Sequence, residues 1–345
     1  MDCIRQRPDE AQAYIQATHA EVRREFDQPL HPPRTEGGVT CPLCVNECQM
    51  GEGEIGYCGL RTVQEGRLVH LAGTAPRGLL HWYRDPLPTN CVGMWTCGGQ
   101  GQHGMHNLAV FYGSCTVNCL FCQNWHYRDM LPDRSEIKDG VPESLAKRTI
   151  SAQELAHAAN ERTFCVCYFG GDPTSQMPHA LAASKPLAER GVRVCWETNG
   201  TANPKLMRRA VEYSFQSGGL VKFDLKAYDE TLHTALAGVP NQRTLANFAH
   251  AAGRFSERPQ LPLVMASTLL VPGYVDAQEV GRIAAFIAEF DVNIPYALLG
   301  FSPSFTMSDL PRTSINHAEE AAAAARASGL KNVRIGNRHL LSRAY

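Results

Sequence analysis

The sequence predicts an α/β fold: a full or partial (β/α)6-type TIM-like barrel of parallel strands, preceded by a cysteine-rich N-terminal extension. Two observations support this prediction. Short apolar runs alternate with helical patterns from residue 107 onward, and most of the 13 cysteines lie in a few short segments. Apolar runs without polar alternation are typical of strands buried on both faces of a parallel sheet, with helices as the crossover connections.

Seven apolar runs predict the strands of this barrel. They are NLAVFYG at 107–113, TFCVCYFG at 163–170, VRVCWETNG at 192–200, GLVKFDLK at 219–226, LVMASTLLVPG at 263–273, IPYALLGFSP at 294–303 and KNVRIGN at 331–337. About six or seven β/α units favour a barrel. Because periodicity does not show whether a sheet closes on itself, a doubly wound sheet remains the alternative.

The segments between these runs predict helices, since several of them begin with capping boxes. The paired residues are Ser151 with Glu154, Asp276 with Glu279, and Asn316 with Glu319. Gly329 lies where a glycine that ends a helix belongs. These signals place helices on the crossover connections of the predicted barrel.

The first 106 residues predict a separate extension. A helix is expected from Asp9 to about Phe26, followed by the loop HPPRTEGG and a cysteine-rich segment at 41–61. The stretch from there to residue 106 is punctuated by glycine and proline, which predicts irregular structure. We therefore expect two domains, at 1–106 and 107–345.

Composition excludes several classes of function. A formal net charge of -1 argues against non-specific nucleic-acid binding, which needs a basic surface. The sequence contains no apolar run long enough to span a membrane, and its N-terminus lacks the apolar core of a signal peptide. We expect a cytoplasmic protein, and clustered cysteines in a reducing compartment are more often metal or cluster ligands than disulfides.

The segment SCTVNCLFCQNW follows the first predicted strand and carries Cys115, Cys119 and Cys122. Three thiolates on one short loop can hold three irons of a cubane cluster and leave the fourth iron open to a cofactor or substrate. A structural zinc site normally has four protein ligands, so three are an incomplete set. The alternative is a group of three buried or zinc-bound cysteines.

This motif, CTVNCLFC, resembles the signature of the radical S-adenosylmethionine (SAM) superfamily, in particular proteins like pyruvate formate-lyase-activating enzyme and those of the AmmeMemoRadiSam type. The resemblance implies a [4Fe-4S] cluster whose unique iron chelates SAM. The reduced cluster then passes one electron to the sulfonium, yielding methionine and a 5′-deoxyadenosyl radical that abstracts a hydrogen atom from an unidentified substrate. The protein supplies orientation and a dry cavity.

The segment FGGDP ends the second predicted strand, where Gly170 and Gly171 allow a close backbone approach to a ligand. It resembles the family's Gly-Gly-Glu-Pro motif, which receives the methionine ammonium group. Asp172 replaces the glutamate here, so the carboxylate is on a shorter side chain. The alternative is an ordinary β-turn.

The segments WETNG and KFDLK end the third and fourth predicted strands. The resemblance implies polar contacts to the ribose of SAM from Glu197, Thr198 and Asn199. It also assigns Asp224 and Lys226 to the cofactor site, with the lysine directed to the methionine carboxylate. Surface ion pairs are the alternative for any single charged residue, but all five lie at strand C-terminal ends, where barrel active sites are built. The similarity covers about residues 107–341.

Four further cysteines lie within eighteen residues, at Cys41, Cys44, Cys48 and Cys58. This segment, here called the cysteine knuckle, resembles the one that precedes the radical SAM domain in activating-enzyme-like proteins. Thiolates serve both an auxiliary iron–sulfur cluster and a structural zinc, so both remain possible occupants, and no metal is the third alternative.

The remaining cysteines carry weaker signals. Cys165, Cys167 and Cys195 lie inside predicted strands and are interpreted as small core hydrophobes. Cys91 and Cys97, in NCVGMWTCGGQ, could reach a second cluster.

The favoured function is therefore a SAM-cleaving radical enzyme. A glycyl-radical-enzyme activase acting on a partner protein is one alternative, and a non-catalytic electron-transfer or metal-binding protein is another. One expected partner is an electron donor such as flavodoxin or ferredoxin. The substrate is unidentified, and proteins and peptides are among the candidates.

Overall fold

A nine-stranded sheet forms the centre of this computed structural model, which describes residues 2–137 and 140–344. The elements that precede the first parallel strand are α1 (Asp2–Gln6), α2 (Pro8–Arg24), β1 (Val39–Thr40), β2 (Gln49–Met50), β3 (Arg61–Gln64), β4 (Arg67–His70) and β5 (Gly78–Pro86). Two small antiparallel pairs, β1 with β2 and β3 with β4, surround the cysteine knuckle.

The larger part of the chain alternates strands and helices. Its elements are β6 (His106–Tyr112), α3 (Glu143–Ala146), β7 (Thr149–Ile150), α4 (Ala152–His157), β8 (Thr163–Gly170), α5 (Met177–Glu189), β9 (Arg193–Thr198), α6 (Pro204–Ser217), β10 (Val221–Asp224), α7 (Glu230–Ala237), α8 (Gln242–Ala252), β11 (Val264–Leu270), α9 (Ala277–Ala288), β12 (Tyr296–Gly300), α10 (Ile315–Ala327) and β13 (Val333–Gly336). Short 3₁₀ helices occupy Trp125–Met130, Arg134–Glu136, Pro173–Gln176, Phe255–Glu257 and Arg338–Leu340.

The strand order across the sheet is β13-β12-β11-β10-β9-β8-β6-β5-β7. Seven strands of the sheet are parallel, namely β6, β8, β9, β10, β11, β12 and β13. Each of them lies beside the one that follows it in this series. This order has no reversal of the kind that defines a doubly wound sheet. Within the described ranges, the edge strands β7 and β13 are not paired with each other. The sheet is therefore open and corresponds to the partial form of the predicted barrel.

The crossover helices form for reasons that are visible in the sequence. In α6, Asn203 caps the N-terminus by accepting the N–H of Lys205, and Gly218 ends the helix with a left-handed φ of 78°. Its buried residues recur at helical spacing and face the sheet. They are Met207, Ala210, Val211 and Ser214.

All seven predicted strands are present, and β6 is buried at each of its seven positions. The prediction of an irregular stretch before residue 106 is wrong, because the antiparallel pair of β3 and β4 and the strand β5 lie within it. This nine-residue strand pairs antiparallel with β6 from Leu80 opposite Tyr112 to Pro86 opposite His106. Only its first three residues are buried, so it lacks the continuous apolar run by which the other strands were found.

Two of the predicted capping boxes also differ from the structure. The box at Ser151 is present with both of its hydrogen bonds. Asp276 caps α9, but the carboxylate of Glu279 instead accepts the N–H groups of Tyr228 and Asp229. The last helix begins earlier than predicted, since Ser314 is its N-cap. Across the described residues, no helix has both the length and the apolar character needed to cross a membrane.

Candidate functional site

A cavity of about 260 Å³ opens at the C-terminal ends of the parallel strands. It is called the main cavity here. The predicted site residues that line it are Cys115, Cys119, Cys122, Gly170, Gly171, Asp172, Glu197, Asn199, Asp224 and Lys226. Lys222 and Asn337 are among the lining residues that were not predicted, and Thr198 was predicted but does not line the cavity. The parallel sheet therefore brings together motifs that are more than a hundred residues apart.

The three-cysteine loop begins directly after β6 and is held against α7. The N–H groups of Asn118 and Leu120 donate to the carbonyls of Ala237 and Leu236, at 2.8 and 3.0 Å. In the part of the chain that the structure describes, the three loop sulfurs do not all lie within 4.8 Å of one another. Tetrahedral zinc with Zn–S bonds of 2.3 Å would bring its sulfurs to about 3.8 Å. Binding a single zinc ion would therefore require these three sulfurs to move closer together.

The FGGDP segment makes its closest approach to this same loop. The N–H of Gly171 donates to the carbonyl of Tyr112 at 2.9 Å, and the N–H of Asp172 donates to that of Ser114 at 2.8 Å. Gly170 has a φ of +98°, which favours glycine, and a Cβ added to Gly171 would lie 2.1 Å from the carbonyl oxygen of Ser114. Both glycines are thus needed for backbone packing beneath Cys115.

Asp172 is buried, and its carboxylate connects the ends of β8 and β9. One oxygen accepts the N–H of Thr174 at 2.7 Å, and the other accepts the N–H of Asn199 at 2.6 Å and the hydroxyl of Thr198 at 3.3 Å. Burial raises the pKa of Asp172, whereas these hydrogen bonds favour its charged form. Thr198 therefore contacts the carboxylate rather than the cavity.

Asn199 places a polar group directly on the cysteine loop. Its Nδ2 lies 3.7 Å from the sulfur of Cys115 and donates to the hydroxyl of Thr116 at 3.0 Å. Its Oδ1 accepts the N–H and the hydroxyl of Thr201. These bonds fix the amide so that its donor faces the sulfur, and a donor there stabilises negative charge on a cluster ligand.

A line of charged residues crosses the floor of the main cavity. Lys222 Nζ lies 3.0 Å from Glu197 Oε2 and 2.8 Å from Asp224 Oδ1, and the other Asp224 oxygen is 3.6 Å from Lys226 Nζ. Ser267 donates to Asp224 at 2.6 Å. Alternating positions of a strand share one face, so the spacing of 222, 224 and 226 was the signal that could have identified Lys222.

Opposite neighbouring charges keep Lys222 and Asp224 ionised. The Lys222 side chain is only 7% exposed. Burial opposes its charge, but Asp224 and Glu197 more than compensate and raise the pKa of Lys222. Burial likewise opposes the charge of Asp224, yet Lys222 and Lys226 lower the pKa of that carboxyl. Lys226 lies 5.7 Å from the ring centre of Phe121, next to the cysteine loop.

The four knuckle cysteines, Cys41, Cys44, Cys48 and Cys58, line a cavity of about 10 Å³. The N–H of Tyr57 donates to the sulfur of Cys48 at 3.3 Å. Burial raises the pKa of Cys48 to about 12, so the metal-free thiol is protonated at neutral pH. Metal binding would have to displace that proton. The observation that favours a metal centre is that all four cysteines line one cavity.

The knuckle packs directly against the three-cysteine loop and β9. Asn46 Nδ2 donates to the carbonyl of Thr116 at 2.7 Å, and the N–H of Val45 donates to the carbonyl of Thr201 at 2.9 Å. The two cysteine groups that the sequence separates by more than fifty residues are thus neighbours.

Known proteins are similar to this chain in sequence. The sequence profile described as Radical SAM superfamily matches residues 109–287. The pyruvate formate-lyase-activating enzyme of Staphylococcus aureus is 30% identical over 209 residues, covering 55% of this chain and 74% of that protein. An uncharacterized protein of Methanocaldococcus jannaschii is 24% identical over 315 residues, covering 87% of this chain and 81% of that protein.

A domain of pyruvate-formate lyase-activating enzyme from Bacteroides vulgatus is 21% identical, with a TM-score of 0.41, and covers 50% of this chain and 99% of that chain. Streptococcus suis SuiB bound to S-adenosylmethionine is 14% identical, with a TM-score of 0.47, and covers 68% of this chain and 51% of that chain.

The matched range spans just over half of the 345 residues and includes the three-cysteine loop. Membership of this superfamily implies a [4Fe-4S] cluster and SAM, and the cavity holds the thiols and charged groups that such cofactors need. Membership of the superfamily also distinguishes the protein from a non-catalytic metal-binding protein. The chain belongs to the radical SAM superfamily, and it is an enzyme.

Proposed function

We propose that this enzyme reductively cleaves SAM at a [4Fe-4S] cluster held by Cys115, Cys119 and Cys122. The observation that carries the proposal is that these three thiols share one cavity with the polar ends of β8, β9 and β10. When bound, the cluster and SAM would supply a 5′-deoxyadenosyl radical for hydrogen abstraction from a substrate.

The protein's own groups prepare the cavity for this chemistry. The three thiolates would hold three of the four irons, and the amide of Asn199 would direct its donor at the Cys115 sulfur. Cys115 and Cys119 are buried, which limits the access of water. A dry site protects a reactive radical from side reactions.

We propose that the charged floor binds the polar parts of SAM. Lys226 would face the methionine carboxylate, and Glu197 and Asn199 would contact the ribose. Asp172 and the backbone of Gly170 and Gly171 would lie at the methionine ammonium group. Thr198 is a positioning residue in this scheme, because its hydroxyl contacts the Asp172 carboxylate and it does not line the cavity.

The cysteine knuckle is proposed to hold a second metal centre through Cys41, Cys44, Cys48 and Cys58. Both an iron–sulfur cluster and zinc are compatible with thiolate ligands. In the described residues, no three of the four sulfurs lie within 4.8 Å of one another. A single tetrahedral ion, which draws sulfurs to about 3.8 Å, would require them to move closer together, and a cluster would require more room than the cavity of about 10 Å³ offers, so both occupants stay in the proposal. Residues 1–106 remain a proposed N-terminal domain.

The substrate is proposed to be a protein or peptide, and the electron donor a flavodoxin or ferredoxin. One observation favours a glycyl-radical-enzyme activase as the more specific alternative: the 30% identical relative is a pyruvate formate-lyase-activating enzyme. A partner protein would then present its reacting residue at the mouth of the main cavity.

Product analysis tests the proposal. The chain is reconstituted anaerobically with iron and sulfide, mixed with SAM and dithionite, and assayed for 5′-deoxyadenosine by liquid chromatography. We expect the product from the wild-type chain and none from Cys119→Ala, which should also lose the iron of one cluster.

A matched variant, Cys44→Ala, separates the two cysteine sites. It should lose metal from the knuckle while the absorption of the Cys115 cluster persists. A wild-type chain with an intact cluster that yields no 5′-deoxyadenosine would contradict the proposed cleavage. Unchanged iron content in Cys119→Ala would contradict the proposed ligands.

A further inference from the structure

Five cysteines from three separate segments meet around a second, smaller cavity of about 30 Å³, here called the thiol cavity. Cys91 and Cys97 lie on the loop that follows β5, Cys165 and Cys167 are on β8, and Cys195 is on β9. Strand pairing places Cys167 directly beside Cys195. These residues belong neither to the knuckle nor to the three-cysteine loop.

The ligand atoms of this group are unusually close. The sulfurs of Cys91 and Cys167 and a carboxylate oxygen of Glu197 all lie within 4.8 Å of one another, and Cys91 Sγ is 3.4 Å from Glu197 Oε1. In the described ranges this is the only set of three histidine, cysteine or acidic side chains with that spacing. The thiols of Cys165 and Cys195 are close enough to interact, as are those of Cys167 and Cys91.

We propose that the thiol cavity binds a single thiophilic divalent ion, Zn²⁺ or Fe²⁺, through Cys91, Cys167 and Glu197. Cys195, on the neighbouring strand, lines the same cavity but lies outside this set of three ligand atoms. Tetrahedral thiolate coordination places sulfurs about 3.8 Å apart, which is within the observed spacing and too tight for a cubane cluster. Thiolate ligands select such ions over magnesium or calcium.

The surroundings of Glu197 support a metal ligand. Its Oε1 faces Cys91, while its Oε2 is 3.0 Å from Lys222 Nζ. The contact with Lys222 would orient the carboxylate as a ligand, and hydrogen bonds that orient ligating carboxylates are a general feature of metal sites. The cavity is also large enough for an ion, because it exceeds the 10–15 Å³ or so that one water requires.

The ion would fasten the loop after β5 to the sheet. Cys91 is its ligand on that loop, and Cys167 and Glu197 are its ligands on β8 and β9. Glu197 and Lys222 line the main cavity as well, so the site forms part of the wall between the two cavities. The inference goes beyond the proposed cleavage of SAM, and the two proposals share Glu197, since this carboxylate lines both cavities.

Anomalous X-ray diffraction tests the site without any substitution. Crystals of the chain, purified anaerobically and loaded with iron and zinc, are measured above and below both absorption edges. We expect a peak among Cys91, Cys167 and Glu197 at one of the two edges, which identifies the ion. Crystals that show iron at the Cys115 loop but no peak in the thiol cavity would overturn the proposal.

A double variant provides an independent measurement. Cys91→Ala with Cys167→Ala should lose about one equivalent of zinc or iron per chain by mass-spectrometric metal analysis, with the cluster absorption retained. Met94→Leu is the matched control, because Met94 lines the same cavity without being a proposed ligand. Equal metal content in the double variant and the control would overturn the site. So would peptide mapping that finds Cys91 disulfide-bonded to Cys167 in the anaerobic chain.

Discussion

The hydroxyl of Ser114 donates a hydrogen bond of 2.7 Å to the carbonyl oxygen of Cys58. The carbonyl of Ser114 in turn accepts the N–H of Asp172 at 2.8 Å. The residue immediately before Cys115 is therefore held from one side by the cysteine knuckle and from the other by the FGGDP segment. The knuckle thus supports the loop that carries the proposed cluster ligands.

Ser114→Ala should lower the free energy of unfolding by about 1–2 kcal/mol, because it removes this bond and leaves the carbonyl of Cys58 without its donor. Urea denaturation under anaerobic conditions measures the change. Ser135→Ala, at an exposed serine, is the control and should stay within about 0.5 kcal/mol of the wild type. Equal stability of the two variants would show that the bond contributes nothing.

Gly171→Ala should reduce the occupancy of the proposed cluster. The added Cβ would lie 2.1 Å from the carbonyl oxygen of Ser114, so the backbone beneath Cys115 must move. Iron content per chain and visible absorption measure the loss.

Gly281→Ala is the matched control for that substitution. Gly281 lies within α9, and its added Cβ would meet only atoms at 3.8 Å or beyond. It should keep the wild-type iron content and gain about 1 kcal/mol in stability from improved helix propensity. Full cluster loading in Gly171→Ala would refute the packing argument.

Lys222→Met should destabilise the fold by about 3 kcal/mol, since it leaves Glu197 and Asp224 as neighbouring carboxylates without their shared cation. Chemical denaturation of the cluster-loaded chain measures this loss. The double variant Lys222→Met with Glu197→Gln should recover part of it, because one of the two negative charges is removed.

Lys185→Met provides the control for the loss of a lysine. Lys185 is 65% exposed and pairs with Glu189 on the surface of α5, where such pairs contribute less than about 1 kcal/mol. If Lys222→Met were no more destabilising than Lys185→Met, the charged floor would not be a stabilising network.

Stability should fall as the pH drops from about 6.5 to about 4. Burial lowers the pKa of His179 and of His233 to about 4, whereas an unfolded histidine titrates near 6.5. In this window the unfolded state binds more protons, so each histidine costs about 1.4 kcal/mol of stability per pH unit. The loss is complete below the folded pKa.

Unfolding midpoints at half-unit pH steps measure this slope. His233→Gln removes one of these groups and should make the dependence shallower, while His70, whose pKa burial also lowers to about 4, stays in place. His157→Gln is the control, because this exposed histidine ends the short helix α4 and makes no comparable buried hydrogen bond. An identical slope in His233→Gln and the wild type would contradict the assignment to His233.

Much of the fold was predictable because its parallel strands are buried on both faces and therefore leave continuous apolar runs. Residues at the ends of successive strands meet at one edge, which is why Asp172, Glu197 and Asp224 were expected together. β5 was missed because only its first three residues are buried, so it lacks a continuous apolar run. Lys222 was missed because a lysine in a strand resembles a surface residue until its two carboxylate partners are known.

The thiol cavity could not be predicted from the sequence. Cys167 and Cys195 meet through strand pairing, but Cys91 reaches them only through the path of the loop after β5. That path depends on contacts between residues that are distant in sequence, so no local sequence pattern predicts it. Cys165, Cys167 and Cys195 consequently looked like small core residues.

The pairing of β5 with β6 has a practical consequence for expressing shortened versions of the protein. β5 covers seven residues of β6, and every one of those residues is buried. A fragment that starts at Asn107 would leave the backbone hydrogen-bonding groups of this apolar strand bare. Bare apolar edges recruit strands from other molecules, so such a fragment should aggregate, whereas one that begins before Gly78 keeps the edge covered.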